Sequence, residues 1–184
     1  MSNERVNELL EQAWEAKKNK SYSLAQRYYN AVLDIEPSNW EAKMYIAVIN
    51  NMQISCGESD FAIRSVSNSL SNVAKTIANN VRDKKTREFF CRDIAVDATN
   101  FAFYICDLQY AEFDRMVMQR TRFNSLAPVK FSKDYIRPRY RALVNMLYEL
   151  ANNLKTSFPN GEGIDGAKIA QDVGKTIQKG CRRF

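Results

Sequence analysis

The central part of the chain, residues 58–127, contains neither glycine nor proline. Strands are joined by turns that need these two residues for their backbone angles, whereas helices continue without them. A run of 70 residues without either therefore predicts long helices. Apolar residues recur through the run at helical spacing, as at Phe90, Ile94, Phe101 and Ile105. We expect an all-α fold.

The same periodicity extends to both ends of the chain, and it predicts how the helices divide. Residues 123–134 form the clearest linker, and Pro138 lies in the first turn of the helix that follows. The predicted helices span residues 3–19, 23–35, 40–53, 60–81 with a break near 79–80, 86–118, about 138–157 and 165–179.

Residues 6–39 form one unit of two predicted helices that closes after 34 residues. Large and small apolar side chains alternate on the two helices, and a proline–asparagine turn ends the unit. The positions that carry this pattern are Leu9, Ala13, Tyr22, Ala25, Tyr29, Val32, Pro37 and Asn39. The unit resembles a tetratricopeptide repeat, although Lys20 stands where the repeat has its turn glycine. A weaker match begins at Trp40 and fades after residue 57; the alternative is an unrelated helical hairpin of similar composition.

The resemblance implies a repeat region over residues 1–57 and a helical extension over 58–184, packed on it as one compact unit. It also implies a protein-binding groove lined by the first helix of each hairpin. The groove positions are then Leu10, Trp14, Lys17, Met44, Val48 and Asn51. Apolar residues replace the Lys and Asn with which some family members clamp a terminal carboxylate. The groove therefore either binds an apolar peptide or, as we expect, is filled by the chain's own later helices, which would bury Trp14 and Met44.

A basic segment, residues 115–141, is the second candidate site. Eight Lys and Arg side chains stand there against Asp134 alone, and aromatic residues interleave with them. Such a segment can hold a phosphate backbone and stack bases, so a nucleic acid is the alternative partner. The arginines in question are Arg115, Arg120, Arg122, Arg137, Arg139 and Arg141. Arginines at successive odd positions fan around a helix, which argues against one coherent basic stripe. The other interpretations of the segment are a solvated helix end and a binding surface for an acidic protein.

The composition favours binding over catalysis. The chain has no histidine, which removes the commonest general base and the commonest metal ligand. The four cysteines are widely spaced and are interpreted as reduced thiols. Phosphate-cradling glycine loops are absent from the sequence, so we expect no enzymatic activity, cofactor or metal. Without an apolar leader or membrane-length segment, the sequence predicts a cytoplasmic interaction module or scaffold whose partner is a protein or peptide, with homo-oligomers left open.

Overall fold

The computed structural model describes residues 2–123 and 130–181. Throughout these ranges the chain is helical with no strand, which confirms the predicted all-α class. A 3-10 turn (Cys56–Glu58) and a π-helical turn (Ser132–Ile136) accompany the helices. The helices are α1 (Ser2–Lys18), α2 (Tyr22–Ile35), α3 (Trp40–Ile49), α4 (Ser59–Ser71), α5 (Val73–Asn80), α6 (Lys84–Phe123), α7 (Arg137–Ser157) and α8 (Ile164–Cys181).

The chain divides into two compact units, Met1–Gln53 and Ile54–Phe184. In the first unit, α2 packs against both α1 and α3. Ala13 on α1 and Ala25 on α2 are fully buried. Side chains as small as these let two helices approach each other closely. Lys20, in the turn between these helices, adopts a φ of 58°, the left-handed conformation that glycine adopts without strain.

The core of the second unit is made by α6, α7 and α8. Two glycines at the start of α8 allow the close approach of these helices. A Cβ atom at Gly166 would collide with the backbone of Cys91 on α6, and one at Gly163 would collide with the backbone of Leu154 on α7. Cys91 itself is fully buried, and this burial raises the pKa of its thiol to about 12.

Some predicted helix boundaries were wrong. The helix predicted over residues 60–81 is two helices, α4 and α5, which meet at Asn72 rather than near residues 79–80. The third helix ends at Ile49 instead of at residue 53. The predicted linker is helical from residue 130. It is part of the packed structure rather than an exposed connection, since Ser132 and Ile136 of the π-helical turn are buried. Residues 124–129 of that linker lie outside the described residues.

Membrane crossing requires about twenty consecutive apolar residues in one helix. Over the part of the chain that the structure describes, no helix combines the length with the apolar character that such a span needs.

The tight packing of α1 on α2 generates a stability prediction. Replacing Ala25 with Leu should overpack a fully buried position and lower the free energy of unfolding by roughly 1–3 kcal/mol. Urea denaturation followed by circular dichroism measures the change. The control is Asn30→Leu, at an exposed position of the same helix, which should change stability by less than about 0.5 kcal/mol. Equal stability of the Ala25→Leu variant and the parent chain would contradict this account of the first unit.

Candidate functional site

A cleft of about 370 Å³ opens in the first unit between the N-terminal half of α1 and the turn that joins α2 to α3. The turn is held in place by Asn39, whose side-chain oxygen accepts a hydrogen bond from the backbone N–H of Ala42 at 2.9 Å. The Asn39 amide also donates to the Glu36 carboxylate at 3.1 Å. One asparagine therefore caps α3 and orients Glu36 at the rim of the cleft.

The surface of the cleft is mainly polar, with carboxylate and amide groups, and a smaller part of it is apolar. Apolar surface comes from buried Val6 and from half-buried Leu10 and Trp40. None of the lining residues is basic, and the rim includes the carboxylates of Glu36 and Glu41. The polar lining residues are Asn3, Asn7, Glu36, Asn39 and Glu41. Such a rim suits a ligand that brings its own cation beside an apolar group.

Of the six groove residues predicted from the sequence, Leu10 lines this cleft. Met44 and Val48 are buried in the core of the unit, and Trp14 is half-buried beneath the ammonium of Lys18, 4.9 Å from the ring centre. The expectation that later helices cover Trp14 and Met44 stays a prediction.

The two polar groove candidates, Lys17 and Asn51, are also buried. The Lys17 ammonium lies 3.9 Å from the centre of the Tyr45 ring, and this ring stacks on Tyr29 at 5.6 Å. The Asn51 amide donates a hydrogen bond to the backbone carbonyl of Ala47 at 2.9 Å. Both side chains therefore have structural contacts inside the first unit.

Sequence reasoning identified Asn39 only as part of the turn that ends the 34-residue unit and Trp40 only as the start of a helix, and it did not place them in a binding site. The missed residues cluster at the turn that closes the 34-residue unit and at the first two turns of α1. The sequence signal that could have predicted these residues is the closing turn. Two antiparallel helices bring the end of the second beside the start of the first.

The basic segment is not one continuous surface. Arg137 and Arg141 are exposed on α7, whereas Arg139 between them is only 4% exposed. Arg115 is exposed and forms a bidentate ion pair with Glu112, with its Nε 3.0 Å from one carboxylate oxygen. The side chains of Arg120 and Arg122 lie outside the described residues.

Arg139 lies at the centre of a polar network in the second unit. Its Nε and Nη2 donate to both carboxylate oxygens of Asp60 at 2.9 and 2.7 Å, and its Nη1 donates to Gln109 Oε1 at 2.7 Å. The Gln109 amide in turn donates to Ser59 Oγ at 3.0 Å. The network joins α4, α6 and α7, so Arg139 has a structural role and is removed from the candidate patch.

The same network changes the acidity of Asp60. Hydrogen bonds from Arg139, followed by its positive charge, hold the pKa of Asp60 below its usual value despite the opposing effect of partial burial. The aromatic ring of Tyr135 also lies beside Arg139, with its centre 5.2 Å from the guanidinium carbon. This ring also contacts Phe131 at 5.4 Å, which reduces the face it could offer to a base.

No protein-family model, curated protein or solved structure matches the chain. Within the ranges described, no group of three or more Cys, Asp and Glu side chains lies close enough together to hold a metal ion. The function is therefore inferred from the residues of the chain itself.

The Arg139 network predicts a specific pH dependence. Asp60→Asn should lower the free energy of unfolding by about 2 kcal/mol at neutral pH, because a buried guanidinium loses its charged acceptor. A carboxylate with a lowered folded-state pKa stabilises above its unfolded value of about 3.9, and this contribution is lost as the pH falls through the lower folded value. The difference from the parent chain should therefore shrink below about pH 4.

Urea denaturation at neutral pH and in acid measures this difference. The control is Asp134→Asn, which removes an exposed carboxylate nearby in the same unit and should leave stability within about 0.5 kcal/mol. A loss of stability at Asp60→Asn that is independent of pH would show that the ion pair is not its source.

Proposed function

We propose that the chain is a non-enzymatic protein-interaction module of tetratricopeptide-like type, and that the cleft of the first unit binds a peptide segment of a partner protein. The observation that carries the proposal is the cleft itself, whose lining joins carboxylates and amides with half-buried Leu10 and Trp40. A non-enzymatic role is supported by the absence of histidine from the sequence.

The tetratricopeptide-like assignment is supported by two independent features. The sequence pattern closes after 34 residues, and the three helices it predicts in this region follow one another with α2 packed on both neighbours. In such an arrangement the first helices of successive hairpins, here α1 and α3, border a common groove. The cleft lies between the first turns of α1 and the start of α3.

The chemistry of the cleft narrows the partner class. A cleft of this volume is at the lower end of the size range of ligand sites, so it accepts one or two side chains rather than a folded domain. The Glu36 carboxylate in the lining attracts a lysine, an arginine or an amino terminus, and the smaller apolar part formed with Leu10 and Trp40 gives one aliphatic or aromatic side chain a contact. We therefore expect a basic peptide with at least one large apolar residue.

The first test compares two sets of short peptides that share a central pair of leucines and differ only in carrying lysines or glutamates around it. The lysine set should bind more tightly, measured by fluorescence anisotropy. Leu10→Lys places a cation inside the cleft and should weaken that binding by about tenfold or more. The matched control is Leu24→Lys, at an exposed position of α2 outside the cleft, which should change the affinity by less than about twofold. Equal binding of both peptide sets, or an equal effect of both variants, would contradict the proposal.

The runner-up function, nucleic-acid binding by the basic segment, generates a second prediction. With Arg139 buried, the exposed cations of residues 130–141 are Lys130, Lys133, Arg137 and Arg141. So few phosphate contacts should give only weak, salt-sensitive binding. We expect single-stranded RNA and DNA to bind more weakly than about 1 μM at physiological salt in filter-binding assays.

Micromolar or tighter binding of RNA or DNA that is lost in the double variant Arg137→Glu and Arg141→Glu would favour nucleic-acid binding over peptide binding as the function. The control carries the same change of charge on other exposed positions of the second unit, Lys155→Glu and Lys168→Glu.

A further inference from the structure

The long helix α6 has a second apolar face, directed away from the core of its unit. Its inner face is fully buried through residues such as Ile94, Phe101 and Ile105. On its outer face, large apolar side chains recur every seventh residue and remain well exposed. They are Phe89 (46% exposed), Val96 (37%), Phe103 (42%) and Tyr110 (59%), and we call them the α6 stripe.

The α6 stripe repeats once per heptad, as one of the two apolar positions of a helix-docking seam does. Seven residues correspond to almost two full turns, so the four side chains form one line that winds slowly around the helix. From Phe89 to Tyr110 the line extends over roughly 32 Å at 1.5 Å per residue. Singly exposed apolar side chains need no explanation, but a regular row of this length marks an interaction surface.

Acidic residues follow one edge of the α6 stripe. Asp93, Asp107 and Asp114 each stand four residues after a member of the stripe, and Asn100 fills the remaining position. Residues four apart on a helix lie side by side, so these carboxylates form a border along the apolar line. Asp107 and Asp114 are exposed, and Asp93 is half-buried. We call these three residues the acidic edge.

We propose that the outer face of α6 binds an amphipathic helix of a partner protein, whose apolar stripe is flanked by lysine or arginine. The apolar row supplies the buried seam, and the acidic edge selects a basic flank. The surface belongs to the second unit, so this interaction is separate from the peptide cleft of the first.

The charge pattern disfavours a second copy of the chain as the occupant. In an antiparallel pair of α6 helices centred near Phe103, the acidic edge of one copy lies against the acidic edge of the other. Asp93 of one copy then lies near Asp114 of the other. In a parallel pair the acidic edge meets the opposite flank, which is basic at its start through exposed Arg92, but where Cys106 and Phe113 offer Asp107 and Asp114 no positive partner. An anionic lipid surface is disfavoured for the same reason, since it would face the acidic edge.

The test uses the full chain and two labelled helical peptides of three heptads. Both peptides carry leucine at the a and d positions; one carries lysine at e and g, and the other carries glutamate there. By fluorescence anisotropy at about 0.05 M salt, the lysine peptide should bind at least about tenfold more tightly than the glutamate peptide. The difference should decrease at about 0.5 M salt, where exposed charges are screened.

Variants assign this binding to α6. Phe103→Ser should weaken the lysine peptide by about tenfold, and the double variant Asp107→Lys and Asp114→Lys should reverse the preference to the glutamate peptide. The matched control is Phe61→Ser, an exposed phenylalanine of α4 outside the stripe, which should leave the affinity unchanged. Because the peptide cleft is itself expected to bind basic peptides with leucines, the measurements are repeated in the Leu10→Lys background, where binding that depends on Phe103 should persist.

Three results would overturn the proposal. The first is no binding of the lysine peptide, and the second is equal binding of both peptides by the parent chain. The third is a molar mass of two chains in light scattering that Phe103→Ser reduces to one, because a second copy would then occupy the stripe. If Phe103→Ser lowers the folded fraction in circular dichroism, the charge-reversal variant decides, since it leaves the apolar row intact.

Discussion

The buried guanidinium of Arg139 is the interaction on which the second unit depends. A charge with so little exposure is tolerated only when each donor has an acceptor, and here Asp60 and Gln109 provide them at 2.7–2.9 Å. These partners come from α4 and α6, so one side chain of α7 fixes three helices relative to one another. The same burial divides the basic segment, because its central arginine faces the interior while Arg137 and Arg141 face solvent.

The first unit is organised by contacts of another kind. Its fully buried alanines bring α1 and α2 together, and the Lys17 ammonium covers the Tyr45 ring that stacks on Tyr29. A cation over an aromatic ring is attracted by the ring's negative face. Polar side chains are thus used inside both units to hold helices, while exposed Asn7 and Glu36 are among the residues that line the cleft.

The helical class and the bounds of α1 and α2 could be predicted from the sequence, because strong periodicity and a proline stop define them locally. The break at Asn72 could not, since several asparagines and serines near it give equal local signals. The groove candidates Met44 and Val48 are core residues because α3 is apolar on several sides, so spacing alone did not distinguish its buried face. The α6 stripe was hidden in the same way: a helix with apolar residues on two faces shows little amphipathic contrast.

The close packing of α8 against α6 also gives the protein a built-in reporter. The Cys91 thiol is buried beneath that contact with a pKa of about 12, so almost none of it is thiolate at neutral pH while the helices remain together. Alkylating reagents attack the thiolate, and they can reach this buried sulfur only when local opening of the unit exposes it. The rate of Cys91 modification therefore measures how often this part of the second unit opens, without any engineered probe.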